Sequence, residues 1–274
     1  MPELPEVETV RRVLASHLEG KTIENVQIFN GSVIAAPRSE LFSALVKGQK
    51  IVNFSRRGKF LRFTFESGDS LVVHLRMTGC LIVEPPAAPA AKHMHLAFAL
   101  SDGNELRYED TRRFGKFWYE VSGEADNSGM SKLGIEPIDQ ALTAQFLREK
   151  CCKSKRSVKS MLLDQSMIAG IGNIYADEIL FAAKIRPDKP CNTLTAENLE
   201  CLAAAIPERI RFFIDKNTMT FTEYISSRGR EYRDTPYLQV YGRAGKLCPV
   251  CGERLQRIVL LGRSSYFCPQ CQKS

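Results

Sequence analysis

The sequence predicts an α+β protein made of several domains, and three observations support this prediction. Strand-like alternation of apolar and polar residues dominates from Thr22 to about Val121, whereas helical periodicity dominates from 143 to 216. Four cysteines then occur as two closely spaced pairs near the carboxyl terminus. A chain of 274 residues, 44% hydrophobic and 25% charged, is long enough for two domains with separate cores.

A helix is predicted directly after the amino terminus, over residues 5–18. Its apolar residues recur at helical spacing, and Gly20 ends the pattern. The apolar positions are Val7, Val10, Leu14 and Leu18. This helix would anchor the start of the chain in a domain that spans residues 1–121.

Six stretches rich in β-forming residues follow the helix, and turn signals such as Gly68-Asp69 and Asp102-Gly103 separate them. They favour a β-sandwich or a β-barrel. The predicted strands are Ile23 to Phe29, Gln49 to Arg56, Phe60 to Phe65, Ser70 to Arg76, His95 to Leu100 and Leu106 to Glu109. Residues 85–91 are predicted to form a flexible or partly extended loop.

Residues 122–134 have the composition of a linker, and a helical domain over 135–237 is predicted after it. Pro207 should distort or divide the last helix, because proline lacks the backbone N–H and clashes with the preceding turn. The predicted helices cover 143–151, 158–163, 174–183 and 195–216.

The last predicted domain, 238–274, contains a four-cysteine motif. The spacing is C-x2-C, sixteen residues, then C-x2-C, which is specific for a tetrahedral zinc site that closes a hairpin. Four thiolates complete the coordination sphere, so one zinc ion with a structural role is expected. The ligands are Cys248, Cys251, Cys268 and Cys271. The other five cysteines are scattered without the pairing expected of a disulfide framework: Cys80, Cys151, Cys152, Cys191 and Cys201.

The charge balance is compatible with a polyanionic partner. Lys and Arg number 38 against 31 Asp and Glu, which gives a net charge of +7. Two basic clusters indicate phosphate-contacting surfaces, although each could be a solvated face: one over 238–274, and one made of Lys153, Lys155, Arg156 and Lys159. No apolar run approaches the length of a membrane span and the amino terminus is acidic, so a cytoplasmic location is expected.

Pro2 is the most informative single residue. Removal of Met1 would leave a secondary amine with a pKa far below that of lysine, and such an amine can attack a sugar C1′. Glu3 and Glu6 lie beside it as candidate proton shuttles. The alternative is structural, because proline is also favoured in the first turn of a helix.

A glycine-rich turn, 169–175, separates two of the predicted helices. With Asn173 as the helix cap and Lys155 upstream, it could bind a phosphate through the helix amino terminus, although an ordinary helix connection has the same composition. His93 and His95 share a strand face and could suggest a second metal, but no third ligand is evident and a plain hydrogen-bonding role is the alternative.

Taken together, these motifs resemble bacterial formamidopyrimidine-DNA glycosylases, and the resemblance extends over essentially the whole chain. It rests on residues 2–6, the 170–175 turn, the four-cysteine hairpin with Arg263, and two further stretches, 56–59 and 110–115. The resemblance implies a two-layered β-sandwich, a helix-two-turn-helix domain and a zinc finger. It also implies a monomer that excises oxidised purines from double-stranded DNA and cleaves the abasic strand by β,δ-elimination.

The resemblance further implies residue roles. Pro2 would be the nucleophile, Glu3 the general acid or base, and Lys59 a cation near the reacting nucleotide. Asn173 and Arg263 would bind the phosphates that flank the extruded lesion, with His74 and Lys155 as helpers. The gap left in the helix would be filled by Met77, Arg112 and Phe114, residue types suited to wedging, hydrogen bonding and stacking.

One segment departs from the family pattern. The loop expected to close over the oxidised purine, about 217–237, usually starts with two glycines, but here it starts with Asn217 and Thr218. Backbone amides between Thr220 and Tyr224 could still contact a purine O6. Two alternatives therefore stay open: an endonuclease VIII-like glycosylase for oxidised pyrimidines, and a non-catalytic zinc protein that binds damaged DNA.

Overall fold

The computed structural model describes residues 2–229 and 235–273, which form two compact units. One unit comprises 2–131 together with 218–229, and the other comprises 132–217 together with 235–273. The segment 218–229 therefore packs with the amino-terminal unit, whereas the sequence placed the whole 217–237 loop with the helical domain. Residues 230–234 of that loop lie outside the described residues.

Helix α1, Leu4–Leu18, opens the first unit, and a capping box starts it. Glu3 is the N-cap, and its backbone N–H donates to Glu6 Oε2 at 2.6 Å. The Glu3 side chain accepts from the Glu6 backbone in return. Because Leu4 and Val7 are fully buried, the first turn of the helix is anchored in the core.

Two sheets make up most of the rest of this unit, so the fold is a β-sandwich, as predicted, and not a barrel. One sheet has four strands in the order β1-β7-β8-β6 and the other has five in the order β2-β9-β5-β4-β3. Every pairing is antiparallel except that of β2 with β9. The strands are β1 Ile23–Ile28, β2 Ile34–Ala36, β3 Ile51–Arg57, β4 Phe60–Phe65, β5 Ser70–His74, β6 Gly79–Glu84, β7 Met94–Leu100, β8 Glu105–Asp110 and β9 Lys116–Glu120.

Five strands and α-helices of this unit escaped the sequence analysis, among them strand β2 with three residues and the helix Phe221–Ser226 with six. Strand β6 is buried along nearly its whole length, so it lacks the alternation that marks a half-exposed strand. Strand β9 has five residues, and helix α2, Ser39–Val46, buries only Phe42 and Val46. Residues 85–91, predicted to form a flexible or partly extended loop, are held in place by hydrogen bonds. The buried Arg107 guanidinium donates to four of their backbone carbonyls.

The second unit is helical. Its helices are α3 Ala144–Cys151, α4 Val158–Leu162, α5 Asn173–Ala182 and α6 Ala196–Lys216, and one further helix, α7 Phe221–Ser226, belongs to the first unit. Helix α6 runs through Pro207 without division, although proline was expected to distort or divide it. The helix packs along α3 and α5, and this burial outweighs the cost of about 3 kcal/mol for an interior proline. Among the described residues, no helix is long and apolar enough to cross a bilayer.

The carboxyl-terminal part of the second unit is a two-stranded antiparallel hairpin, β10 Gln256–Leu260 and β11 Arg263–Phe267. One C-x2-C pair precedes the hairpin and the other follows it, which brings all four cysteines to one end. Phe181 at the end of α5 packs with Val240, Leu255 and two of these cysteines. The hairpin is therefore attached to the helical part of its own unit through apolar contacts.

Candidate functional site

Pro2 and Glu3 are buried at the start of α1, and Glu3 is 1% exposed. The capping box uses the backbone and carboxylates of Glu3 and Glu6 together, which holds the first residues in one conformation. Arg56 ties α1 to β3, because its Nε lies 3.1 Å from Glu8 Oε2. Removal of Met1 would place a free Pro2 amine beside the buried Glu3 carboxylate, and these two groups could serve as nucleophile and proton shuttle.

Lys59 lies on the tight turn between β3 and β4. Arg57 pairs with Phe60, so Gly58 and Lys59 form a two-residue hairpin loop, and Gly58 has the positive φ of +56° that this turn requires. The Lys59 side chain is 7% exposed. Burial of a lysine at a hairpin tip is unusual, and it brings a cation close to the end of β5, where His74 lies.

His74 is buried and uncharged at neutral pH. Burial, together with the charges of Arg76 and Lys59, lowers the pKa of the imidazole to about 3. Its Nδ1 accepts a hydrogen bond from the Arg76 backbone N–H at 3.0 Å, which leaves Nε2 as the protonated nitrogen. His74 can therefore donate one hydrogen bond to a ligand, but it cannot supply a positive charge.

Met77, Arg112 and Phe114 form one exposed cluster, although they come from two loops. The Arg112 Nη1 lies 3.0 Å from the Met77 sulfur, and the guanidinium carbon lies 4.5 Å above the centre of the Phe114 ring. Met77 is 42% and Phe114 47% exposed. Two large apolar side chains and a guanidinium in mutual contact at the surface form a group able to wedge into a base stack.

Asp110 positions both loops, and the sequence analysis did not single it out. Its Oδ1 accepts from the Thr78 hydroxyl and from the Arg112 backbone N–H at 3.0 Å. Its Oδ2 accepts from the Tyr108 hydroxyl and the Gly115 N–H, both at 2.9 Å. These hydrogen bonds hold the pKa of the Asp110 carboxyl below its usual range, although burial opposes them. The ionised carboxylate thereby links the 75–79 turn to the 111–115 turn.

Close packing around Tyr108 explains two glycines in these turns. A Cβ on Gly115 would lie 1.8 Å from the Tyr108 hydroxyl oxygen, and one on Gly79 would lie 2.5 Å from the Leu75 carbonyl. The same turns also hold two residues other than glycine at positive φ, Arg76 at +56° and Arg113 at +57°. Such strain at the base of an exposed cluster is typical of functional loops.

In the second unit, Asn173 and Arg263 are brought together through Ser264. Asn173 is the first residue of α5, one position after the Gly172 cap, and its Nδ2 donates to the Ser264 carbonyl at 3.1 Å. Arg263, next to Ser264, begins β11 and is exposed. The helix amino terminus and the hairpin cation therefore occupy neighbouring positions on the same unit.

A buried ion pair fixes this arrangement. Lys159 and Asp177 are both fully buried, with Nζ and Oδ1 2.7 Å apart, and Lys159 also donates to the Ser264 carbonyl at 3.0 Å. Asp177 Oδ2 accepts from the Tyr266 backbone. Burial raises the Asp177 pKa to about 7, although the ion pair opposes the shift. Glu178 adds three backbone hydrogen bonds to the 239–241 segment.

The second basic cluster is therefore only in part a surface. Lys153 and Lys155 are exposed, as a phosphate-contacting cluster requires. Lys159 is instead a buried structural residue, and Arg156 is paired with Asp164 at 2.8 Å. The sequence could not distinguish them, because the partner of Lys159 lies 18 residues away on the next helix.

The four cysteines of the hairpin bind one zinc ion. Their sulfur atoms all lie within 4.8 Å of one another, and Cys251 and Cys268 are 3.4 Å apart. A tetrahedron with zinc–sulfur bonds of about 2.3 Å has edges of about 3.8 Å, so the spacing fits zinc. This is the one cluster of at least three metal-ligating side chains within 2–229 and 235–273. His95 instead contacts the Asp110 carbonyl at 2.7 Å, which favours the hydrogen-bonding interpretation over a second metal.

The segment that starts at Asn217 leads directly into a short helix, α7. Asn217 has φ of −87°, and Thr218 is not among the described residues with positive φ, so neither position requires glycine here. Thr220 caps α7, and the backbone amides of Thr220, Glu223 and Tyr224 are used within that helix. The Tyr224 ring is buried in the sandwich core.

A β-sandwich unit with the exposed Met77, Arg112 and Phe114 cluster and a helical unit with a four-cysteine zinc hairpin thus define a multidomain zinc protein. Three family models match: the formamidopyrimidine-DNA glycosylase N-terminal domain over 1–117, the H2TH domain of the same family over 133–223, and the zinc finger found in FPG and IleRS over 245–273. The chain belongs to the formamidopyrimidine-DNA glycosylase family.

Individual relatives match along the whole chain. A formamidopyrimidine-DNA glycosylase of Geobacillus kaustophilus is 42% identical, with complete coverage of both chains. One of Pelotomaculum thermopropionicum is 40% identical, covering 100% of this chain and 99% of its own. Among solved structures, the Lactococcus lactis protein in complex with FAPY-dG-containing DNA superposes with a TM-score of 0.90 at 34% identity, covering 99% of this chain and 100% of its own.

Proposed function

We propose that this protein is a base-excision repair enzyme that removes oxidised purines, 8-oxoguanine and formamidopyrimidines, from double-stranded DNA and then cleaves the abasic strand. The full-length match to glycosylases, one of them solved with FAPY-dG-containing DNA, is the observation that carries this proposal. A monomer in the bacterial cytoplasm is part of the proposal.

In the proposed reaction, the Pro2 amine attacks C1′ of the extruded nucleotide and the base leaves. Glu3 protonates the sugar ring oxygen or relays protons, so that the ring opens to a cationic imine. The imine acidifies the neighbouring carbon, and β-elimination and then δ-elimination release the two phosphates. Lys59 stabilises negative charge near the reacting nucleotide, and the uncharged His74 donates a hydrogen bond from Nε2.

The second unit binds the DNA backbone in this proposal. Asn173, Arg263 and Lys155 contact phosphates, and an amide nitrogen that already donates to the Ser264 carbonyl has a second proton available for a phosphate oxygen. Extrusion of a nucleotide costs a few kcal/mol. The cluster of Met77, Arg112 and Phe114 offsets this cost by filling the gap.

Borohydride trapping tests the reaction directly. The protein is incubated with a duplex that contains 8-oxoguanine opposite cytosine, and reduction should join protein and oligonucleotide covalently. Pro2→Gly should abolish the adduct while it retains DNA affinity, and Glu3→Gln should slow the reaction without loss of folding. The intact mass of the purified protein checks the prerequisite that Met1 is removed, because retained Met1 would make the Pro2 nitrogen an unreactive amide.

Two outcomes would overturn the proposal. Faster excision of thymine glycol than of 8-oxoguanine would indicate an endonuclease VIII-like enzyme. Tight binding to damaged duplex without any adduct would indicate a non-catalytic DNA-binding protein.

A further inference from the structure

The tip of the zinc hairpin has a residue that its backbone disfavours. Leu260 pairs with Arg263, so Leu261 and Gly262 form a two-residue turn, with φ of +48° and +73°. Positive φ at both positions is the signature of a type I′ turn, in which Asn-Gly is the preferred pair. A leucine side chain is strained in this region, because its Cβ approaches the following carbonyl.

The strained residue also exposes apolar surface. Leu261 is 82% exposed, the largest value for a large hydrophobic residue within 2–229 and 235–273. Neither the turn nor the core therefore gains from leucine at this position. Strain held at an exposed site is typical of residues that contact a ligand.

The surroundings indicate which ligand. The zinc-finger region, 245–273, contains five basic residues and one acidic residue, and all six are exposed. Arg263 lies two positions after Leu261. The residues are Lys246, Glu253, Arg254, Arg257, Arg263 and Lys273. A basic surface with an apolar tip fits duplex DNA, whose deoxyriboses are apolar surfaces between charged phosphates.

We propose that Leu261 packs against the deoxyribose surface of duplex DNA, beside the phosphate bound by Arg263. This inference rests on the DNA-binding role proposed above. The tip is held in advance, because the Ser264 carbonyl accepts hydrogen bonds from Lys159 and Asn173 and the zinc ion closes the other end of the hairpin. A preorganised side chain contributes affinity without a large ordering cost.

Substitution of Leu261 by asparagine tests this contact. Leu261→Asn creates the preferred turn sequence, so the zinc content should stay the same and the melting temperature should stay the same or rise. Fluorescence anisotropy with a duplex carrying a tetrahydrofuran abasic analogue should show affinity about tenfold weaker. The slope of log affinity against log salt should not change, whereas Arg263→Gln should reduce its magnitude by about 0.9.

Two further variants control for general effects. Leu247→Gln removes another exposed apolar side chain of the zinc finger, 60% exposed and away from the turn, and should bind as the wild type does. Leu261→Met keeps an apolar side chain and should retain affinity. Equal affinities of the wild type and Leu261→Asn at every salt concentration, or a changed salt slope, would overturn the inference.

The experiment also separates this inference from the proposed function. A wild-type protein that excises no lesion contradicts the enzymatic proposal, while the binding comparison still tests the contact. If Leu261→Asn lost zinc, Leu261→Gly, which also suits the turn, provides the same comparison, and wild-type affinity of that variant would refute the contact.

Discussion

Replacement of Asp110 by asparagine should destabilise the amino-terminal unit and slow lesion excision. The carboxylate accepts four hydrogen bonds, two on each oxygen, from Thr78, Arg112, Tyr108 and Gly115. In Asp110→Asn one carboxylate oxygen becomes an NH2 group, which donates hydrogen bonds instead of accepting them. The two groups that donated to that oxygen therefore lose their acceptor. Hydrogen bonds to charged groups contribute about 1.5 to 3 kcal/mol each, so the loss of two is expected to cost about 3 to 6 kcal/mol.

Urea unfolding of the zinc-bound full chain measures this loss. Trp118 is the one tryptophan and lies on β9, so its fluorescence reports the unit that contains Asp110. The difference between wild type and variant should narrow at low pH. The folded-state pKa of Asp110 is depressed, so its contribution is full above the unfolded value of about 3.9 and is lost as the pH falls through the folded pKa.

A functional measurement and a control complete the test. Single-turnover excision of 8-oxoguanine should slow tenfold to on the order of a hundredfold, because the turns that carry the exposed cluster lose their common anchor. Asp102→Asn is the control: this surface carboxylate pairs with Lys21 at 3.2 Å, and its loss should cost less than about 1 kcal/mol. A loss below about 1 kcal/mol for Asp110→Asn, equal to that of the control, would refute the reasoning.

Four other predictions follow from the same structure. Lys159→Met should lower the free energy of unfolding by about 3 to 5 kcal/mol, because it leaves Asp177 buried and unpaired. The double variant Lys159→Met/Asp177→Leu should recover most of this stability in thermal unfolding, and no recovery would contradict an ion-pair origin. Gly115→Ala should destabilise the protein by about 1 to 3 kcal/mol, because the new Cβ would clash with the Tyr108 hydroxyl oxygen. Adding Tyr108→Phe removes that oxygen and should recover part of the lost stability. A Gly115→Ala variant as stable as the wild type would contradict this close approach. His74→Gln should leave the shape of the pH–rate profile between pH 5 and 8 unchanged, and loss of a limb of that profile near neutral pH would disprove the neutral state of His74. In the wild type, His74 should lower the free energy of unfolding as the pH falls below about 6.5. Below that pH the unfolded imidazole binds a proton, whereas the folded one, with a pKa of about 3, does not. Chelation of zinc should unfold the hairpin and abolish duplex binding while tryptophan fluorescence stays native, and DNA binding by a metal-free protein would show that the hairpin folds without its ion.

Local signals in the sequence identified most of the elements and the metal site. The helix at 4–18 and strand β4 have regular apolar periodicity, and they were predicted within a residue of their observed bounds. The four cysteines were equally clear, because their spacing already encodes two ligand-bearing turns. Where burial is uniform, as in β6, no alternation is available to mark the strand.

The sequence also named Met77, Arg112 and Phe114 but gave no reason for their proximity. The three residues are close because the Asp110 carboxylate accepts hydrogen bonds from both turns. In the sequence, Asp110 looks like the end of an ordinary strand. Burial likewise reversed the interpretation of Lys159, which has the same local context as its exposed neighbours.

Sequence alone therefore determined what depends on spacing along the chain: most of the helices and strands, the zinc ligands and the candidate nucleophile at the amino terminus. Tertiary structure decided which charges are buried and which turns share an anchor. The physical reason is that desolvation and hydrogen bonding depend on groups distant in sequence, as for Lys159 and Asp177, whereas periodicity and ligand spacing are local.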